Sequence, residues 1–333
     1  MLVSVIIPTY KGSKCLSRAI NSVLNQVGVD FEVLVVDDNN PDSDERKKTE
    51  IVMKDYVNDD RVIYLKHPCN MNGSVARNTG IAKAKGEIIS FLDDDDFYFP
   101  DRLAKCLKRI IETNSDIVYT NTLITKENIP CGYTRAEREG NLFYDLMVNE
   151  NLFGTGSNLF IKKDTILKNG GFCESLPRQQ DYEFLLRQFS FGSKVSAVNE
   201  CLVVKSMNGT NNSSKYEVLK DIKYGLLKEF DKEIKRLPIE KQIQIVIAQH
   251  KELLHTAELE KNHGGINEQK TELKGSGYKF SISDYLKEIL LTSQFVELFQ
   301  TIIWKNKSRK INKEHYDACE FALKHRCWSK TVI

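Results

Sequence analysis

Short apolar runs alternate with amphipathic stretches through the first 120 residues, and no other feature constrains the fold as tightly. Residues 3–7, 31–36, 61–65, 87–92 and 116–119 read as strands. Between them, residues 13–25, 45–56, 74–85 and 101–113 read as helices. In the first helix Leu16, Ile20, Val23 and Leu24 fall on one face at helical spacing. Strands separated by helices of this length pair in parallel, because each crossover returns the chain to the same edge. The pattern predicts an α/β domain with a mostly parallel central sheet flanked by helices.

Residues 121–156 are less regular and read as loops with a short helix. Residues 157–161 read as a strand, 164–168 as a short helix stopped by Gly170-Gly171, 181–191 as a helix and 194–206 as one or two strands. The character changes near residue 215. Residues 216–237 and 239–262 are helical in pattern and separated by Pro238. A polar, glycine-containing connection is expected at 264–278, then helices at 282–304 and 312–325. The expected organisation is an α/β domain over 1–214, in two halves meeting at residue 120, and a helical C-terminal extension over 215–333.

The net charge of +2 in 333 residues gives no global drive toward nucleic acid, and no nucleic-acid partner is expected. Eight cysteines are scattered without a C-x-x-C pair, which argues against a zinc site or disulfide framework and suits a reducing cytosol. Strand-like residues begin at Leu2, so no signal peptide is expected, and no apolar stretch is long enough to span a bilayer.

Chemistry collects at the ends of the strands. The first ends in Pro8-Thr9-Tyr10, the second in Asp37-Asp38-Asn39 and the fourth in Asp93-Asp94-Asp95-Asp96. In a parallel sheet these ends share one edge, where ligands of open α/β folds bind. Clustered carboxylates resist desolvation unless a cation is present, and hard oxygen ligands suit Mg²⁺ or Mn²⁺. The plainer reading of the tetrad is a solvated acidic loop, and of Asp37-Asp38 a turn. Tyr10 is placed to stack on a base, and a carboxylate to accept a base N–H or ribose hydroxyls. Neither G-x-G-x-x-G nor G-x-x-x-x-G-K-[ST] occurs, so phosphate charge would have to be met by a metal and a side-chain cation. Arg77 suits that task, and it reads equally as a surface arginine on a helix.

Five segments in order carry a family resemblance: Val3-Ser4-Val5-Ile6-Ile7-Pro8-Thr9-Tyr10, Val35-Val36-Asp37-Asp38, Ala76-Arg77-Asn78-Thr79-Gly80-Ile81-Ala82, Phe91-Leu92-Asp93-Asp94-Asp95-Asp96 with Pro100, and Gln180-Asp181-Tyr182-Glu183-Phe184. With them the chain, over about residues 1–210, resembles a GT-A glycosyltransferase of the large inverting family two. The resemblance implies a nucleotide-sugar-binding half over 1–120 and an acceptor-side half over 121–214. It implies a donor site of Pro8, Thr9, Tyr10, Asp38, Arg77, Asp93 and Asp94. In that site Tyr10 lies near uracil, Asp38 accepts the uracil N3–H, and Arg77 supports the diphosphate or ribose. Asp93 acts toward the ribose or metal, Asp95 binds Mn²⁺ or Mg²⁺, and Asp181 fills the catalytic-base position. The plain alternative for Asp181 is an aspartate favoured by a helix N-terminus.

There are departures from the pattern. Gln180 stands where the family usually has Glu, and Gly171-Phe172-Cys173-Glu174 replaces the common Gly-Gly-Phe-Asp-Glu. No histidine falls between His67 and His250, where many GT-A enzymes place one near the metal; Asn208 lies in that neighbourhood and is not assigned as a ligand.

The implied function is inverting transfer of a sugar from a nucleotide-diphosphate donor, expected to be UDP-linked, to a saccharide or lipid-linked saccharide hydroxyl in bacterial polysaccharide, LPS or capsule assembly. Two other readings stand beside it. A nucleotidyltransferase would need a Gly-rich, Arg- and Lys-bearing segment after the first strand, which Pro8-Thr9-Tyr10-Lys11-Gly12 does not supply. A non-catalytic nucleotide-sugar-binding or scaffold subunit would not be expected to keep Asp38, Asp93, Asp95 and Asp181 together. Within 282–313 an apolar helical face ends in Trp304 and a basic cluster, which reads either as a peripheral contact with the inner face of the plasma membrane or as an ordinary packed helix. The helices at 216–262 offer a surface for oligomerisation.

Overall fold

The computed structural model describes residues 1–127, 129–149, 151–207, 215–292 and 296–325. Contacts divide the chain into two compact units, the first drawn from 1–142, 151–208 and 310–333 and the second from 143–150 and 209–309.

The first unit is built on one nine-stranded sheet. β1 (Val3–Thr9), α1 (Ser13–Leu24), β2 (Phe31–Asp37), α2 (Asp44–Met53), β3 (Val62–Lys66), α3 (Gly73–Lys83) and β4 (Ile88–Phe91) follow the expected alternation. β3, β2, β1 and β4 lie side by side and all pair in parallel. The apolar runs of β1, β2 and β4 are buried against α1, with Val5, Ile7, Val33, Val35 and Leu16 wholly inside. β5 (Phe97–Tyr98), α4 (Arg102–Thr113), β6 (Ile117–Lys126) and β7 (Ile129–Thr134) come next.

Beyond β4 the sheet becomes mixed. β8 (Phe160–Lys162) is antiparallel to β4 and to β6, and β7 is antiparallel to β6. β9 (Val195–Ser206) is one strand, parallel to β6 and antiparallel to β5. Within the region read as loops with a short helix, residues 121–126 and 129–134 are therefore the outer half of β6 and its hairpin partner. Thr120, Asn121, Thr122 and Thr125 are buried polar residues that break the apolar run, which hid a strand already bulged at two places. The described residues of 310–325 return to this unit. Ile311, Ala318, Cys319 and Ala322 close an apolar cluster with Phe97, Leu123 and Val204.

α5 (Phe143–Val148) belongs to the second unit; α6 (Lys163–Asn169) and α7 (Gln180–Ser190) belong to the first. The second unit continues with α8 (Tyr216–Glu229), α9 (Asp231–Lys235), α10 (Ile239–Leu259), α11 (His263–Gly275) and α12 (Ile282–Thr292). α13 (Val296–Glu314) leads back to the first unit and α14 (Tyr316–Lys324) follows. The second unit's core gathers Tyr216, Leu219, Leu253, Ala257, Ile266 and Leu273.

The polar connection expected at 264–278 is in fact largely α11. Gly264-Gly265 suggested a break, but both sit in the first turn, where Asn262 caps by accepting from the Gly265 N–H at 3.0 Å. Ile266, Gln269 and Leu273 then face inward. No helix among the described residues is long and apolar enough to cross a membrane. Most of the apolar face proposed for membrane contact, Leu286, Leu290, Phe295, Leu298, Phe299, Ile302, Ile303 and Trp304, lies outside the described side chains, as does Asn208.

Candidate active site

The register of the parallel strands sets Thr9 opposite Asp37, and the Asp38 N–H donates to the Thr9 carbonyl at 2.9 Å. Pro8, Thr9 and Asp38 thus lie together at one sheet edge. Tyr10 follows Thr9 and is 46% exposed, with Lys11 Nζ 4.9 Å from its ring centre. Its ring presents a face for stacking.

The acidic pair divides its work. Asp37 is consumed internally: it pairs with Arg46 at 3.0 Å and accepts from Tyr64 Oη at 2.5 Å and from the Asn39 N–H at 2.9 Å. Asp38 is held as firmly. Its Oδ1 lies 2.8 Å from His67 Nδ1 and accepts from the Met71 N–H at 2.8 Å; its Oδ2 accepts from Asn70 Nδ2 at 2.8 Å and the Asn72 N–H at 3.0 Å. Those four contacts fix the turn that starts α3, where Asn72 Oδ1 in turn caps the Ser74 N–H at 2.9 Å.

α3 delivers Arg77. Its Nη2 donates to Asp93 Oδ1 at 2.6 Å, and its guanidinium lies 5.4 Å from the Phe172 ring centre. Asn78, the next residue, accepts from the Phe172 N–H at 2.8 Å and donates to the Phe172 carbonyl at 2.9 Å. Phe172 stacks on Phe184 of α7 at 4.3 Å. The Ala76-Arg77-Asn78 segment therefore ties the loop before α7 to the aspartates after β4.

The four aspartates have four different environments. Asp93 faces Arg77. Asp94 packs on the Gly12 backbone so closely that a Cβ there would meet its carboxylate at 1.8 Å. Burial pushes Asp94 up to about 7, while the Thr9 hydroxyl and the Tyr10 backbone pull the other way. Asp96 is a brace: Ser157 Oγ donates to it at 2.6 Å, Thr155 Oγ1 at 3.1 Å and the Ser206 N–H at 2.8 Å. Asp95 has no hydrogen bond or ion pair to its carboxylate among the described residues. Burial first, then the charges of Asp96, Asp94 and Asp93, push it up to about 9. A carboxylate so placed needs a cation to stay ionised at neutral pH.

α7 begins at a left-handed Gln179 with φ 58°, a turn that sets Asp181 in the first helical turn without a side-chain cap. Asp181 Oδ1 is buried and has no hydrogen-bond partner among the described residues. Its Oδ2 lies 2.4 Å from where a Cβ on Gly156 would sit, so only glycine admits it there. Burial raises its pKa; Arg77 lowers it, Asp93 raises it and Lys205 lowers it, and the net shift is upward. Gln180 Oε1 and Arg77 Nη1 both crowd the Cα of Gly73, at 3.3 and 3.0 Å from an added Cβ. Asp93, Arg77, Gln180 and Asp181 thus converge.

Sequence reasoning missed the bracing residues. Arg18 of α1 donates to the Asp95 carbonyl and to Ser206 Oγ, the latter at 3.0 Å. Gly156 ends the segment read as irregular, and Ser157 begins the one read as a strand, which is instead a short turn over Gly156–Asn158 before β8; Gly154-Thr155-Gly156-Ser157 was the available sign of a tight turn. Lys205, which donates to the Gly154 carbonyl at 3.0 Å, sits in a strand with no motif to mark it.

Residues 4–164 match the family model for glycosyl transferase family 2. An uncharacterised glycosyltransferase of Methanocaldococcus jannaschii is 34% identical over 214 residues, which is 61% of this chain and 69% of that protein. The chain belongs to glycosyltransferase family 2. It is an enzyme of that family, with a GT-A-like fold of mixed sheet and flanking helices. This family-2 chain is also 27% identical over 222 residues to the UDP-Glc:alpha-D-GlcNAc-diphosphoundecaprenol beta-1,3-glucosyltransferase WfgD of Escherichia coli, covering 66% of this chain and 83% of that one. Among solved structures, the mannosyltransferase PcManGT from Pyrobaculum calidifontis, in complex with GDP-Man and Mn²⁺, resembles it in fold. The TM-score is 0.55 at 16% identity, covering 93% of this chain and 86% of that one.

Proposed function

We propose that this family-2 enzyme moves a sugar from a UDP-linked donor to a saccharide hydroxyl, with inversion, and that Asp181 is the general base. The observation that carries the reading is Asp181 itself, a buried and unpartnered carboxylate oxygen beside Arg77 and the Asp93 loop. No partner among the described residues accounts for it, and its raised pKa moves it toward the range a base needs.

The chemistry follows from the groups. The acceptor oxygen attacks the anomeric carbon while its proton passes to Asp181, and the bond to the nucleoside diphosphate breaks on the opposite side. Tyr10 offers the base a stacking face above Pro8 and Thr9. Asp38 reads a uracil N3–H by giving up one internal donor, and the Asn70 side chain is the one able to rotate away. Arg77 steadies Asp93, which addresses the ribose, and supports the diphosphate.

Asp95, with Asp93, fits Mn²⁺ or Mg²⁺: the donors are hard carboxylate oxygens, and no cation among the described residues pairs with the Asp95 carboxylate. No three His, Cys, Asp or Glu side chains among the described residues form a closed cage, so a cation here would also rely on the donor's phosphate oxygens. When bound, such a metal acts as a Lewis acid toward the departing diphosphate. Mn²⁺ in PcManGT supports the choice of cation, and the UDP-Glc and diphosphoundecaprenol acceptor in the name of WfgD support a UDP donor and a lipid-linked acceptor in bacterial polysaccharide assembly.

Asp181→Asn tests the assignment. Donor binding should persist while transfer falls by about 10²–10⁴-fold. Transfer within a few-fold of the parent enzyme would remove Asp181 from the role.

A further inference from the structure

The second unit contains a cavity of about 170 Å³ walled by α10, α11, the loop after α11 and α12. Leu254 and Leu273 form an apolar floor. Tyr278 and Phe280 stand in the loop edge to face, 5.1 Å apart at 83°. Around them are lysines and carboxylates, most of them already matched. Lys270 Nζ pairs with Glu288 at 2.6 Å, and Asp284 accepts from Tyr278 Oη at 3.0 Å. Lys251 Nζ lies 4.2 Å from the Tyr278 ring centre.

Glu258 is the exception. It lines the cavity and is 3% exposed, yet its ion contact is His255 Nδ1 at 3.9 Å, beyond hydrogen-bond reach. Its carboxylate oxygens are not among the fully enclosed polar atoms, so they stay open to a hydroxyl donor brought by a ligand in the cavity.

We propose that this cavity is a saccharide-binding site for a single pyranose ring. Two aromatic rings and two leucines suit the C–H face of a sugar. Glu258 accepts a hydroxyl proton and Lys251 donates to a hydroxyl oxygen. Mixed charge selects a neutral ligand: the two lysines disfavour a free cation, and the carboxylates disfavour a phosphate. Size agrees, because 170 Å³ is about five or six times the ~30 Å³ share of one water, which suits one ring. None of its lining residues belongs to the transfer site.

The test is saturation-transfer NMR on the full chain with methyl glycosides of glucose, galactose and N-acetylglucosamine. UDP and Mn²⁺ are held in excess to occupy the donor cleft. At least one glycoside should bind, with affinity lowered tenfold or more in Glu258→Gln and in Phe280→Ala. Asp181→Asn should bind it unchanged, which separates this site from the transfer site. Glu258→Gln preserves shape and decides the matter if Phe280→Ala does not fold. Absence of binding by all three glycosides, full affinity in Glu258→Gln, or loss in Asp181→Asn would overturn the proposal.

Discussion

At the scale of single residues, the proposed active centre depends on where carboxylates are left without partners among the described residues. Asp37, Asp38 and Asp96 are saturated by internal donors, whereas Asp95 and Asp181 are not. The sequence showed all of them as acidic pairs at strand ends and at a helix start. It could not show the division, because Arg46, Tyr64, Ser157 and Ser206 come from distant elements. The upward shift of Asp181 has a sign that can be checked. A base must be ionised, so turnover should begin to fall above the ordinary aspartate range as pH is lowered. For stability the sign reverses: the neutral form is favoured in the fold, and that contribution is lost as pH rises through the raised pKa. Asp181→Asn should therefore match or exceed the parent melting temperature at neutral pH while losing transfer. A clear drop in melting temperature would mean that the ionised carboxylate stabilises the fold. Gly156→Ala places a methyl against Asp181 Oδ2, so kcat should fall at least tenfold with donor KM nearly unchanged. An unaltered kcat would show that Asp181 can move away without loss.

At the scale of elements, the site is a set of strand ends joined by one helix start. β1, β2, β4 and α3 were legible because an apolar run and a helical period are local signals. α11 and the β6–β7 hairpin were not. In α11 two glycines at the first turn looked like a break, and in β6 buried threonines and Asn121 interrupted the apolar run. The coupling between α3 and α7 was also hidden, since it runs through the rings of Phe172 and Phe184 and the side chain of Asn78. Phe172→Ala should cost about 3–5 kcal/mol of stability by emptying that contact. It should also weaken donor binding, because Arg77 lies over the ring. Denaturant unfolding and nucleotide titration measure the two effects, and a loss below about 1 kcal/mol with normal donor affinity would remove Phe172 from this coupling.

At the scale of the molecule, the first unit is completed by residues far along the chain. Ile311, Ala318, Cys319 and Ala322 seal the apolar cluster around Phe97, and Phe321 stacks on Phe99 at 3.9 Å. Phe97 directly follows Asp96, and Arg18 lies 4.3 Å from its ring centre. A chain ending at residue 309 should thus lose about 3 kcal/mol or more of stability and bind donor less well. Equal melting temperatures for the two lengths would contradict that role. The sequence reading recognised a helical C-terminal region but not which parts of it pack on the sheet, because helical periodicity names a buried face and not its partner. Calorimetric titration tests whether a UDP-linked donor is held through a metal on Asp95. UDP and GDP would be titrated, with and without Mn²⁺, into the parent protein and Asp95→Asn. UDP binding should require Mn²⁺ and disappear in Asp95→Asn. Binding that is indifferent to both the metal and the substitution, or a preference for GDP, would contradict it.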